Sequence, residues 1–365
     1  MTDQDRYSTS SAPRLIERAD IAARDFQLRG TAERLAGSTK LEVGVDISGR
    51  YGLEALDLKL NHDMAGNQTT TITNVSVERA GRTDVGVYAM AEHAVAPTLL
   101  LAGGLRGDRV NTKNTAGYFG DHSTGNGAAS GFVSVTAGSF RGLSVTGQVA
   151  RGFRDPMLSD RYYRGPTGRG YITGNPDLSP ENSLQFDLAL RYAAKSYRLA
   201  FYTYQYRIND LVERYETSKD FFYFRNRGRA RLRGVELEAQ ADVGAGVSIE
   251  VSGQVTRGTA LDDDTALDDV PSESLAVQIR KRIGERAFVQ VRGAAHARDD
   301  RPGPTERSMP GHTMVDVSAG YKVSRHLELR VLGRNLLDQV YLASPDTRAV
   351  LAPGISGLAS FVVSY

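Results

Sequence analysis

Six residues between positions 161 and 171 bring guanidinium and phenol groups together: Arg161, Tyr162, Tyr163, Arg164, Arg169 and Tyr171. Guanidinium forks grip carboxylate or phosphate oxygens at two points, and rings offer faces to cations and flat ligands. Such a set suits an anionic metal chelate. The alternative is an extracellular loop whose tyrosines sit at a membrane surface.

Other reactive residue types are sparse or wrongly spaced. Asp262, Asp263, Asp264, Asp268 and Asp269 invite a calcium reading, yet they lack the central glycine and terminal glutamate of an EF-hand loop, so a solvated loop is expected. The histidines, His62, His93, His122, His296, His312 and His326, show neither HExxH nor i, i+4 pairing, so no protein-ligated metal is expected. There is no cysteine, which removes disulfides, thiolate zinc sites and cysteine catalysis. Without a phosphate loop, dinucleotide fingerprint or GxSxG elbow, the sequence implies no enzyme and no cofactor.

The arginines and tyrosines lie within Arg151 to Glu181, which holds four of the chain's twelve prolines and five glycines. That composition makes a long structured loop rather than a regular element. GLSVTGQVARGF before it and SLQFDLALRY after it alternate with period two, so the loop joins two strands.

The wording of this loop resembles the barrel of TonB-dependent outer-membrane receptors. Phe153, Arg154 and Pro156, then Asn175, Pro176, Asp177, Leu178, Pro180 and Glu181, match that family's paired signatures. A second match is Arg334, Asn335, Leu336, Leu337, Asp338 and Tyr341, although the family's later PGR stands here as Pro353, Gly354 and Ile355. Asparagine, aspartate and proline of this kind shape strand ends by local hydrogen bonding and fixed φ. The resemblance implies an all-β antiparallel transmembrane barrel in the outer membrane of a Gram-negative cell, with membrane lipid around it. It further implies import of ferric siderophores or similar chelates, powered by the TonB complex. A passive porin-like or surface-binding barrel is the alternative.

Periodicity supports a barrel independently. Leu184, Phe186, Leu188, Leu190 and Tyr192 alternate with Gln185, Asp187 and Arg191, and Val315, Val317, Ala319, Tyr321 and Val323 alternate with Asp316, Ser318 and Lys322. The first set of each pair suits lipid and the second a wet lumen. Connections alternate short and long, with Tyr215 to Phe222 among the long or aromatic ones. No apolar run approaches the roughly 20 residues of a membrane helix. A net charge of +2 gives no nucleic-acid footprint.

Residues 1–25 read as a polar leader or loop, with a short helix as the other option, and 26–365 as the carboxyl-terminal portion of the barrel. About fifteen membrane strands are expected, or about seventeen if residues 51–80 belong to the wall rather than to a projecting hairpin, against 22 in the family. The family's plug, coupling box and first strands have no counterpart before Phe26. The chain is therefore expected to be an incomplete receptor, from a truncated gene product or a mis-assigned start, that does not transport alone. Its final Tyr365 fits the aromatic terminus of outer-membrane barrels.

Overall fold

The structure is a computed structural model that describes residues 4–7 and 14–364. Strands dominate, because alternating apolar and polar side chains satisfy one dry and one wet face only when the backbone is extended. The chain begins with β1 (Gln4–Tyr7), β2 (Arg14–Ala36), β3 (Thr39–His62), β4 (Gln68–Ala96) and β5 (Leu99–Asn114). It continues through β6 (Ala116–Gly117), β7 (His122–Phe140) and β8 (Leu143–Arg154) to a single helical turn, α1 (Leu158–Tyr162). Next come β9 (Arg164–Thr167), β10 (Gly170–Thr173), β11 (Glu181–Ala193), β12 (Tyr197–Ser218), β13 (Phe221–Gly244) and β14 (Val247–Ala260). The last are β15 (Ser274–Ile283), β16 (Ala287–His296), β17 (His312–Lys322), β18 (Leu327–Arg334) and β19 (Ser356–Val363).

Leaving aside the short β1, β6, β9 and β10, fifteen strands form the wall, each paired antiparallel with the next in chain order. The sheet is not closed: among the described residues β2 pairs with β3 and β1, and β19 with β18. At one end the turns are short, as at 37–38, 141–142 and 245–246. At the other lie the loops 155–180, 261–273, 297–311 and 335–355.

Three expectations need correction. Residues 14–25 are neither leader nor helix but the first half of β2, in register with β3 from Arg14↔His62. The hairpin expected in 51–80 forms, with residues 55–60 paired to 71–77 around a tip at 63–67, but it continues wall strands β3 and β4 upward instead of rising from a long loop. No long loop spans Tyr215 to Phe222; β12 and β13 run on to a two-residue turn at 219–220. Residues 1–3, 8–13 and Tyr365 lie outside the described residues.

The faces separate as the alternation requires. Leu184, Phe186, Leu188 and Leu190 are exposed on the outside, while Tyr206 donates to Asp187 inside at 3.0 Å. Val317 lies opposite exposed Val291, and its neighbour Asp316 approaches Arg292 at 4.0 Å on the inner face. Tyr204 and Tyr206, stacked at 5.1 Å, fill the lumen rather than a girdle. Leu53, Ala55, Val77 and Ala80 of the wall bury Leu158 and Tyr162 of α1, so the main apolar core lies where loop 155–180 folds against the inner face.

Candidate functional site at the capped mouth

Loop 155–180 does not project from the wall. It turns inward and spans the mouth. The β9–β10 hairpin packs near β2, β3 and β4, and Tyr171 donates to Asp57 of β3 at 3.4 Å. On its other side, β10 pairs parallel with β13 through Tyr171↔Phe221, Ile172↔Phe222 and Thr173↔Tyr223. Six wall strands separate β3 from β13, so the hairpin is a strap across the lumen. Arg169 extends it to the neighbouring loops, meeting Asp346 at 3.0 Å and Asp269 at 3.3 Å.

The two halves of the signature are bolted together at the strap's base. Arg154 and Glu181 are register partners joined by two hydrogen bonds, at 2.7 and 3.0 Å. Glu181 also accepts from the Val212 backbone at 2.6 Å. Between them Arg161, 1% exposed, donates to the carbonyls of Pro176 and Leu178 at 2.8 and 2.7 Å and lies 3.6 Å from buried Asp155. Asp155 also accepts from Asn126 at 2.5 Å and faces Arg82 at 3.6 Å, and Arg82 donates to the Pro156 carbonyl. Asn175 accepts from the backbone of Asp177 and donates to the Phe224 carbonyl, closing the turn before buried Leu178. Gly174 is required here, since a Cβ would sit 2.7 Å from the Arg161 backbone. Phe153 continues β8 opposite Asn182, and Pro180 ends the loop.

These contacts correct part of the expected ligand surface. Arg161 and Tyr162 are buried, the second at 0% exposure with its hydroxyl 3.2 Å from Thr112, so both hold the cap rather than face the mouth. A run reading RYYR looks like surface, but one helical turn rotates its first two members into the core. Tyr163 donates to the Pro166 carbonyl at 2.8 Å, and burial pushes its hydroxyl well above the usual range. Arg164 remains available: its guanidinium lies 4.2 Å from the Tyr118 ring and 5.3 Å from Tyr171, with no carboxylate partner among the described residues. Burial also raises the Tyr171 hydroxyl, and it raises the Asp57 carboxyl against the opposing pull of Lys59. Tyr118 was not among the sequence candidates. It stands in a polar loop far from 161–171, and only the fold joins the two.

Under the strap lies a cavity of about 1090 Å³, lined by inner-face residues of β2, β3 and β4 and by α1. Its cations are matched: Arg50 donates twice to Asp25, at 2.6 and 2.8 Å, and Arg82 donates to Asp84 at 2.7 Å. The lining can therefore hydrate and position a polar ligand without a large field of either sign.

The second signature shapes the end of β18. Asn335, at φ 50°, donates to the carbonyls of Gln339 and Pro353 and accepts from the Gln339 backbone, while its own N–H reaches Asp316 at 2.9 Å. Asp338 accepts from the Ile355 backbone at 2.8 Å, so the departure from the family's arginine leaves a main-chain contact at that position. A Cβ at Gly354 would lie 2.6 Å from that carboxylate. Leu336 and Leu337 are exposed, Arg334 ends β18, and Tyr341 stacks 4.3 Å from His312.

The acidic run is a solvated loop, with Asp262, Asp263, Asp264 and Asp269 exposed, and it is tied down by its neighbours. Asp262 pairs with Arg229, Asp263 with Arg227 and Asp269 with Arg169, and Asp268 accepts from Thr305. Among the described residues no group of histidine and acidic side chains is placed to hold a metal.

An antiparallel wall with short turns below, long loops above and a strap across its mouth is the architecture of an outer-membrane receptor barrel. Residues 2–336 match the family described as TonB dependent receptor-like, beta-barrel, and the chain belongs to that family. The vitamin B12 transporter BtuB of Vibrio vulnificus (strain YJ016) is 26% identical over 194 residues, 52% of this chain and 29% of that protein. The copper transporter OprC superposes with a TM-score of 0.81 at 20% identity, over 97% of this chain and 57% of its own. The ferric yersiniabactin uptake receptor FyuA from Yersinia pestis gives 0.72 at 16%, over 100% and 57%. The chain thus spans little more than half of these solved structures and less of the curated relative. The relatives are transport receptors of Gram-negative outer membranes.

Proposed function

We propose that this chain forms the wall and outer cap of a receptor that takes up a small anionic chelate, ferric siderophores being the leading class, in a step coupled to the TonB complex. The strap from β3 to β13 carries the reading, because a passive pore has no use for a rigid bar across its mouth. The ligand surface is the upper side of that bar: Arg164 between Tyr118 and Tyr171, with Arg169 beside it. Arg164 supplies the charge that an anionic chelate seeks, and the rings supply flat apolar contact. Members of the family whose names record a ligand carry vitamin B12, copper or ferric chelates, and the chemistry at Arg164 favours the anionic members of such a set.

The test is uptake of labelled ferric chelates by cells expressing the receptor at its natural length, with and without a proton gradient. Uptake that needs the gradient and weakens in Arg164→Gln supports the reading. Gradient-independent flux unaffected by that substitution favours the passive barrel.

A further inference from the structure

The segment RNRGRARLR in β13 places Arg225, Arg227, Arg229, Arg231 and Arg233 at alternate positions, hence on one face of the strand. The upper three are neutralised. Arg225 and Arg227 meet Glu213 at 2.7 and 2.9 Å, Arg227 also meets Asp263, and Arg229 meets Asp262 at 3.1 Å. Arg231 and Arg233 have no acidic partner among the described residues. Nor does Arg207 of β12, which stands directly opposite Arg231, nor Arg151 of β8, reached through Leu184 in the same row.

Like charges directly opposite one another destabilise a sheet unless something neutralises them. The pairing of the upper arginines shows that this chain supplies acids where water surrounds the strands. Below, where it supplies none, the arginines share their face with exposed Phe186, Val235 and Leu237, the outside of the wall. A groove of about 840 Å³ opens on that face, with Val149, Phe186, Val235 and Val255 in its floor and Arg233 and Arg257 on its rim. Of the two rim cations, Arg257 is met by Glu273.

Height decides what lies outside them. Arg151 stands eight residues above Leu143, the lowest residue of β8. At about 3.4 Å per residue and a tilt of about 40°, that is roughly 21 Å along the membrane normal, against an apolar band about 25 Å tall. By the same count Arg207 stands ten residues above Tyr197, and Arg233 and Arg231 stand eleven and thirteen above Gly244, at roughly 26, 29 and 34 Å, so the four guanidiniums straddle the upper boundary of the band, on the side of the long loops. That is the depth of lipid phosphates, and arginine costs little there.

We propose that Arg151, Arg207, Arg231 and Arg233 form a binding surface on the outside of the wall for the phosphate head group of a lipid in the adjoining leaflet, with an acyl chain in the groove below. The surface needs a membrane around the wall but no ligand in the mouth, so it is independent of the uptake reading.

The full chain is inserted into phosphatidylcholine vesicles carrying a small fraction of spin-labelled phosphatidate or spin-labelled phosphatidylcholine, and the motionally restricted label is measured. Preference for phosphatidate on the order of ten-fold, reduced by salt, is expected. Replacing all four arginines with glutamine should bring it close to unity. Equal restriction of both labels by the native chain overturns the proposal, as does an unchanged preference in an inserted quadruple variant. Where that variant does not insert, the native chain's preference and its salt dependence decide alone. Displacement of phosphatidate by inorganic phosphate would mark a free-anion site and reject the lipid assignment.

Discussion

In the wall at β11, Leu184, Phe186, Leu188 and Leu190 face outward from a strand hydrogen-bonded on both edges, and no single side chain decides whether that strand forms. In the cap between Asp155 and Pro180, ladder bonds are few and the conformation depends on Arg161, Asp155 and Arg154 with their charged partners. The wall distributes its stability over repeated backbone bonds, whereas the cap concentrates it in a few buried charges. The wall should therefore tolerate most outward changes that stay apolar, and the cap should fail at single points.

The largest effect should come from the cap. Arg161→Ala leaves Asp155 buried with one bolt gone and should cost about 3–5 kcal/mol of local stability. Hydrogen exchange should accelerate throughout 155–180 while β15 to β18 stay protected; equal loss in both regions would erase the distinction. In the wall, Val317 lies five residues above the lower end of β17, near the middle of the band. Val317→Arg should cost about 2–4 kcal/mol in a folding titration, and Ser318→Arg much less. Equal costs would overturn the assignment of faces. Asn335→Ala, which removes several side-chain bonds at the end of β18, should cost about 1–2 kcal/mol, with faster proteolysis of loop 335–355 as the readout.

The smallest effect concerns the acidic loop. Arg227, then Thr265, hold the Asp263 carboxyl down at about 2, below the usual carboxylate range. A depressed carboxylate contributes stability in full above its unfolded value and loses it as pH falls through the folded one. Loop 261–273 should stay docked through mild acid and loosen only as pH approaches about 2, and Asp263→Asn should remove that step. Loosening of the loop near neutral pH would assign the docking to other groups.

Legibility in the sequence follows the same division. Where one side of a strand meets lipid and the other a lumen, period two survives, so β11 and β17 are readable. In the upper part of β2, water and packed loop replace lipid. Leu15 and Ile16 are both half-buried, and a register shift at Ala22/Arg24 breaks the count, so residues 14–25 carry no alternation to read. The signature in 153–181 marked the loop but not its direction, because Arg161 and Tyr162 turn inward on a helix too short to show a period. The unpaired arginines of β13 gain meaning only once register shows which side of the sheet they face and which neighbours lack acids.

The strap bars the mouth, and the absence of cysteine from this sequence allows that placement to be tested cleanly. Tyr171 and Phe221 are register partners on the strap and β13, with ring centroids 5.7 Å apart. Neighbouring strands at about 4.8 Å suit disulfide geometry. With cysteines at both positions in the membrane-inserted protein, mild oxidation without any ligand should give a nearly complete Tyr171→Cys/Phe221→Cys crosslink. Free thiols at both positions under the same oxidant would show the strap away from β13 and contradict the capped mouth.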